Sequence, residues 1–349
     1  SPMAVYHGRE ARGYPLVALA AALGWWLWEG YLADGASAGR RRWPLWAAYI
    51  LSQAIALGTH YYAALVIAAQ GVWLAVAWLA HRREPARART LGRWIGAQAA
   101  AVAIVAPWLA LTLAASLHGA EHVPLARDAY PLAAYLRVVA AEMAAGPVAP
   151  APAAWIAVAV LGVAAAWGAA RDGWRRAGLP VATVVVPVAL AFGVQHLYPF
   201  FFPRFLLFIL APLLLLAARG LASLRRPGAV LGALLLGAWL AALPATLRHN
   251  PYPEQDLRPA AQVLHQIAQP GDTLVTGYVW QEGILRMYAP DAPSRYVLAW
   301  YGRHDAGPAM RGLFGERSRL WYLSYDAPLH DAGSPAGNWL ENNALRVLS

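Results

Sequence analysis

A chain of 349 residues with 59% hydrophobic and only 13% charged side chains, at a mean hydropathy of +0.40, is too apolar for an ordinary soluble globule and reads as a polytopic membrane protein. All 28 basic residues are arginine, and they cluster between apolar stretches, so the net charge of +10 argues against a nucleic-acid partner and for loops facing anionic lipid. With no cysteine, disulfides, thiolate nucleophiles and sulfur-ligated metals are excluded.

In chain order, membrane helices are predicted at 15–34, 44–58, 61–80, 94–115, 152–170, 179–197, 204–220 and 228–246. Unbroken apolar runs of this length without period-2 alternation are helices, because a helix satisfies its own backbone in lipid. Internal Pro107, Pro187, Pro212 and Pro244 are compatible with this assignment. The arginine clusters Arg40–Arg42, Arg82–Arg93, Arg171–Arg176 and Arg219–Arg226 fall in alternate connections. They hold fourteen arginines against three (Arg127, Arg137 and Arg204) in the opposite ones. The positive-inside rule then runs the first helix from outside to inside. It puts His60–Tyr62, loop 116–151, the turn Gln195–Arg204 and everything after Leu247 on the outer face. The chain begins Ser-Pro with no signal-peptide pattern, and a short tail bearing Arg9, Glu10 and Arg12 is hard to translocate unaided. It is therefore expected to be the C-terminal portion of a longer protein.

Residues 1–250 thus read as a helical membrane domain and 251–349 as a small α/β domain outside it. In the latter, Asp256 leads a helix with Leu257, Ala261, Leu264 and Ala268 at helical spacing. Strands are predicted at Thr273–Val279, Arg295–Trp300 and Arg319–Tyr325, with helices near 305–314 and 335–342, giving a mostly parallel sheet. No glycine-rich phosphate loop is present.

Four sequence elements carry a family resemblance. Tyr6-His7-Gly8-Arg9-Glu10-Ala11-Arg12-Gly13-Tyr14 resembles the Glu-Ala-Arg-x-Tyr element of bacterial glycosyltransferases of family 39, in the GT-C class with protein O-mannosyltransferases and lipid A aminoarabinose transferases. Thr59-His60-Tyr61-Tyr62-Ala63 is similar to that family's Thr-x-Tyr-Tyr/Phe-Ala step. Pro203-Arg204-Phe205-Leu206-Leu207, followed by Pro212 and Ala218-Arg219-Gly220-Leu221, resembles its Pro-Arg-Tyr-Leu helix. Pro253–Ala260 and Pro270-Gly271-Asp272 resemble the opening of its C-terminal domain.

The resemblance implies a GT-C-like enzyme of the bacterial plasma membrane. Such enzymes transfer a sugar, with inversion, from a polyprenyl-phosphate donor to an acceptor (lipid, glycan or protein) on the outer face. It leaves the sugar, the acceptor and any need for a divalent cation open. The family's acidic pair in the first external loop is absent, and that loop would precede Ser1. On this reading Glu10 is the candidate catalytic carboxylate, orienting or deprotonating the acceptor hydroxyl. Arg12, Tyr14, His60, Tyr61, Tyr62 and Arg204 are candidate substrate-binding residues. Arg204 is the lone base in an aromatic turn and is suited to a bidentate grip on phosphate. The plainer readings are an ion pair of Glu10 with Arg9 or Arg12, an aromatic interface belt at Tyr61 and Tyr62, and an Arg204 that snorkels into headgroups. His118, Glu121 and His122 match no closed zinc spacing and read as a solvated loop. Gln53, Gln70 and Gln98 read as interhelical hydrogen bonders. Loop 116–151, with Tyr130, Tyr135 and Glu142, is long enough for an amphipathic helix over an external cavity. Two other functions fit the hydropathy pattern: a transporter or flippase of lipid-linked glycans, and a non-catalytic membrane assembly protein. The near absence of mid-membrane charge and of paired broken helices speaks against transport.

Because the chain is cysteine-free, topology is testable with single cysteines. On intact cells an impermeant thiol reagent is expected to label Gln262→Cys and not Ala88→Cys. Labelling of position 88 alone would reverse the assignment.

Overall fold

The computed structural model describes residues 1–8, 13–33, 42–80, 84–119, 129–197, 201–249, 256–269, 272–276, 279–288, 296–298, 310–312, 319–323 and 335–343. The chain divides into two units, Ser1–Leu113 with Leu125–His249, and Ala114–Pro124 with Asn250–Ser349.

The first unit is helical: α1 (Pro2–Gly8), α2 (Tyr14–Ala33), α3 (Arg42–Thr59), α4 (Ala64–Ala80), α5 (Pro85–Gly119), α6 (Leu132–Ala145), α7 (Ala151–Leu197), α8 (Leu210–Ser223) and α9 (Arg226–Arg248). Short 3-10 segments, Tyr61–Ala63 and Pro203–Ile209, lead into α4 and α8. Helix α7 is two arms meeting at Gly173, whose φ of 66° is accessible to glycine and breaks the helical path. Six helices among the described residues are long and apolar enough to cross a membrane: Tyr61–Ala80, Ala86–Leu111, Ala151–Trp174, Arg176–Leu197, Pro203–Ser223 and Arg226–Arg248. This is the make-up of a polytopic helical membrane protein, where about eight spans are expected from sequence. The segments at the first two places, α2 and α3, are helical but fall outside the six. Glu29, Ser52, Gln53 and several tryptophans lie within them. Large apolar side chains such as Leu111 and Leu19 remain 73% and 65% exposed, as a lipid-facing surface requires.

Two kinds of contact hold this unit together. Between α7 and α8 the backbones approach directly. A methyl group at Gly168 would overlap the carbonyl oxygen of Leu216, and one at Gly220 that of Ala164. Without a hydrophobic drive between helices in lipid, such close packing of small residues is the main source of association. Across α3, α4 and α5, Gln98 Nε2 donates to Tyr49 Oη at 2.6 Å. Tyr49 Oη donates in turn to Gln70 Oε1, which also accepts from Trp94 Nε1 at 3.2 Å. Gln70 and Gln98 thus bond between helices, while Gln53 packs so closely on Gly24 that a methyl there would overlap its amide.

The second unit contains α10 (Arg258–Ile267), β1 (Thr273–Thr276), α11 (Val279–Tyr288), β2 (Tyr296–Leu298), β3 (Leu320–Leu323) and α12 (Pro335–Asn343). The sheet order is β2-β1-β3, with both pairings parallel and Leu274 opposite Tyr296 and Trp321. Central β1 buries Leu274 and Val275 on its two faces, and Leu257, Ala261, Leu264 and Leu285 complete the core. Buried Asp272 ties the sheet to its turn: Oδ2 accepts from Trp321 Nε1 at 2.8 Å and from the Gln269 amide at 2.9 Å. One element departs from expectation. The β-rich run Thr273–Val279 ends as a strand at Thr276, and Val279 opens helix α11. Gln281 and Leu285, four apart, are both buried on one face of that helix, an amphipathic signal masked by Val279-Trp280.

Gly168→Val and Gly220→Val are each expected to cost at least about 1–3 kcal/mol by overpacking, with a clear fall in melting temperature in detergent. Gly162→Ala and Gly237→Ala, where a methyl meets nothing, should melt at or above the native temperature. Equal effects at all four sites would remove backbone contact as the organising feature.

Candidate functional site

Helix α6 is laid against the end of α7 by polar contacts at its start. The side-chain amide of Gln195, itself buried, pairs with the backbone of Tyr130 in both directions: Nε2 donates to Tyr130 O at 3.1 Å, and Oε1 accepts from Tyr130 N at 3.2 Å. Tyr135 Oη donates to Val188 O at 2.7 Å. Trp239 Nε1 of α9 donates to Ala144 O at 2.7 Å. The helix closes at Gly146 (φ 86°), where a side chain would press on the backbone of Pro2 and Met3, so α1 packs directly on this cap. Tyr135, Val139 and Met143 are buried at four-residue spacing, and Glu142, seven residues after Tyr135, shares that inner face. A helix is therefore present within loop 116–151, but its exposed face carries Leu132 and Leu136 beside Arg137, so it is not the amphipathic helix expected.

Arg204 sits in the 3-10 segment after an extended Phe202, with Pro203 fixing the first turn. Its guanidinium lies 4.1 Å over the Phe202 ring, 5.5 Å over Tyr14 and 6.0 Å over Phe205. Phe205 is the hub of the aromatic cluster: its ring centre is 4.7 Å from Tyr62, 5.0 Å from His60 and 5.6 Å from Tyr14. Tyr61 stacks on His60 at 4.6 Å, and Phe201 bridges to Tyr135 at 5.0 Å. Buried His7 meets Tyr14 edge-on at 6.4 Å, and Tyr6 stacks on His249 at 6.0 Å.

Of the residues singled out from sequence, Tyr14, His60, Tyr61, Tyr62 and Arg204 thus come together at one end of the first unit, from three separate stretches of chain. Glu10 and Arg12 lie outside the described residues, as do Glu121 and His122 and the side chain of His118. Sequence reasoning did not assign Glu142, His7 or Phe205 to the site. For Glu142 a signal existed: it is the single acidic residue of α6 and lies two helical turns from Tyr135.

The electrostatics are set by burial. Glu142 is pushed up to about 7, desolvation outweighing the opposing pull of Arg204. His60 is held down at about 4, chiefly by burial and then by the Arg204 charge. Burial also raises the Tyr135 phenol. At neutral pH His60 is therefore uncharged. Its Nδ1 accepts from Tyr62 N at 3.2 Å to cap the 3-10 turn, which assigns the ring proton to Nε2. In that state His60 is a hydrogen-bond donor, and the nitrogen a base would need is already engaged. Among the described residues the cluster offers one fixed cation, one carboxyl raised toward neutrality, and a rim of aromatic faces and hydroxyls.

Comparison with protein-family models, curated proteins and solved structures gives no match to the chain.

A carboxyl whose folded pKa is raised holds a proton in the native state after the unfolded chain has lost it. The native state is thus progressively weakened as pH rises from the ordinary carboxylate range to about 7. The melting temperature of the native protein is expected to fall relative to Glu142→Gln between pH 5 and 8. Parallel melting curves across that range would show that Glu142 is not desolvated.

Proposed function

We propose that this chain is part of a membrane glycosyltransferase of the GT-C class. It would take a sugar from a polyprenyl-phosphate donor and work at the face of the membrane where Arg204 lies, the outer face by arginine asymmetry, with the segment after His249 on that side. The observation that carries the reading is a guanidinium and a proton-accepting carboxyl in one electrostatic neighbourhood at a helix end, ringed by aromatic side chains. The sequence elements resembling family 39 add to it.

In this reading the acceptor hydroxyl attacks the anomeric carbon. The carbon–oxygen bond to phosphate breaks, and its electron pair leaves with the polyprenyl phosphate. The hydroxyl proton passes to a carboxylate. Arg204 neutralises the phosphate in the ground state and the charge that grows on its bridging oxygen. Glu142 in its ionised form is suited to receive the proton, since its pKa of about 7 lies near working pH. Glu10, the carboxylate named by resemblance, is the other candidate for that task. His60 and the tyrosine hydroxyls donate hydrogen bonds to the sugar or phosphate, and the aromatic faces support the sugar ring or the first isoprene units.

Arg204→Ala in the full-length protein is expected to weaken donor binding roughly 10- to 150-fold, the effect of losing a charge-assisted contact worth about 1.5–3 kcal/mol. Arg204→Lys should restore part of it, because a point charge cannot reproduce the fork. Glu142→Gln should retain donor binding and lower turnover, and an ascending pH–rate limb near 7 should disappear. Loss of turnover in Glu10→Gln with an unchanged profile in Glu142→Gln would assign the proton to Glu10. Unaltered donor binding in Arg204→Ala would overturn the phosphate role.

A further inference from the structure

At the far end of α8 from Arg204, three helices converge: the elbow of α7, the last turn of α8 and the first turn of α9. Arg219 Nη1 donates to Asp172 Oδ2 at 2.9 Å, and Trp167 Nε1 donates to Ser223 Oγ at 3.0 Å. Gly228 is so close to Leu221 that a methyl group would overlap the Leu221 carbonyl oxygen. The stretches Arg171–Arg176 and Arg219–Arg226 supply six arginines and one aspartate, and that aspartate is committed to Arg219. Arg171, Arg176, Arg225 and Arg226 are exposed, as are the indoles of Trp167 and Trp174 beside them.

Arg225 stands out among these residues. It forms the connection between α8 and α9 with φ 55° and ψ −120°, and is the one non-glycine residue with positive φ among those described. That conformation is the first central position of a type II′ turn, where glycine is the natural occupant. An arginine held there is a strained backbone position that stability alone does not select. It sets an exposed arginine at the tip of the hairpin, next in sequence to exposed Arg226.

We infer that this elbow is a binding site for an anionic phospholipid headgroup, with Arg225 and Arg226 on one side and Arg171 and Arg176 on the other gripping the phosphate. The exposed tryptophans set the depth of the glycerol backbone. Basic pockets between membrane helices take such headgroups, and interfacial indoles anchor at that level. The acyl chains lie along the exposed apolar face of α9, where Val230 and Leu234 continue outward from the patch. The site is independent of the Arg204 cluster, so it stands whether or not the protein transfers sugar.

The test is a thermal-shift titration of the delipidated full chain in a non-ionic detergent, with native mass spectrometry of retained lipid. Cardiolipin is expected to raise the melting temperature by about 3 °C or more through linkage, and phosphatidylcholine or inorganic phosphate should not. The double variant Arg171→Gln/Arg226→Gln should lose at least about half of that shift and most retained cardiolipin, whereas Arg89→Gln/Arg93→Gln on α5 should keep both. Arg225→Gly provides a second arm that does not rely on damage. It should melt at or above the native temperature without lipid, because the strain is gone, and still respond less to cardiolipin. Equal losses in the two double variants would reduce the effect to general charge. A full cardiolipin response in Arg225→Gly, or equal stabilisation by phosphatidylcholine or phosphate, would overturn the site.

Discussion

The pairing of the Gln195 amide with both backbone groups of Tyr130 is the interaction on which the candidate site depends. Between the first α7 arm and the long α5 the chain must connect two helices without leaving polar backbone exposed to an apolar surface. Gln195 supplies a donor and an acceptor from the end of one helix to a backbone that has not yet become helical. Tyr135 Oη adds a second anchor one turn into α6, on the Val188 carbonyl of the second α7 arm, which also carries Gln195. With those two points fixed, helical geometry dictates the facing of the remaining turns of α6. Val139, Glu142 and Met143 must face inward, and the carboxylate enters the neighbourhood of Arg204 as a consequence of spacing.

Two opposing effects act on that carboxyl, and their balance gives the site its chemical character. A guanidinium nearby favours the ionised form; loss of water favours the neutral one. At Asp256 and Arg258, a surface pair, the hydrogen bonds lower the carboxyl. At Glu142 the outcome is reversed, and the group rises to about 7 despite Arg204. Arg204 itself lies against aromatic faces, 4.1 Å over Phe202 and 5.5 Å over Tyr14. A pair collapsed into a salt bridge would be chemically inert. At this end of the unit a cation rests on rings and a carboxyl is poised between its two forms.

Much of this organisation was legible in the sequence, for physical reasons that differ by region. The long apolar runs identify helices because lipid offers the backbone no alternative, and every expected segment is helical in the structure. Six strongly apolar spans are found among the described residues, and α2 and α3 are helical at the first two expected places. In the α/β unit the three strands and the first and last helices emerge near their expected places. Helix α11 does not, since a strand and a short amphipathic helix look alike when both begin with β-branched and aromatic residues. At the site, Arg204, His60 and the tyrosines were recognisable as polar groups at helix ends. Glu142 was not assigned, because its importance comes from a fold-back that only the Gln195 and Tyr135 contacts define.

The two ends of the first unit have opposite tolerances. At the α7–α8 crossing, backbone meets backbone at Gly168 and Gly220, and one added methyl group has nowhere to go. At the Arg204 end, contact is made by large side chains with ring centres about 5 Å apart, reached by 3-10 segments rather than continuous helix. Side-chain packing of that kind accommodates small shifts, and 3-10 turns with weaker hydrogen bonds yield more readily than α-helix. Backbone contact thus holds one end, and side-chain packing holds the other. That asymmetry arises from where small residues and aromatics lie along α7, α8 and the segment before it, and the charged groups converge at the end held by side chains.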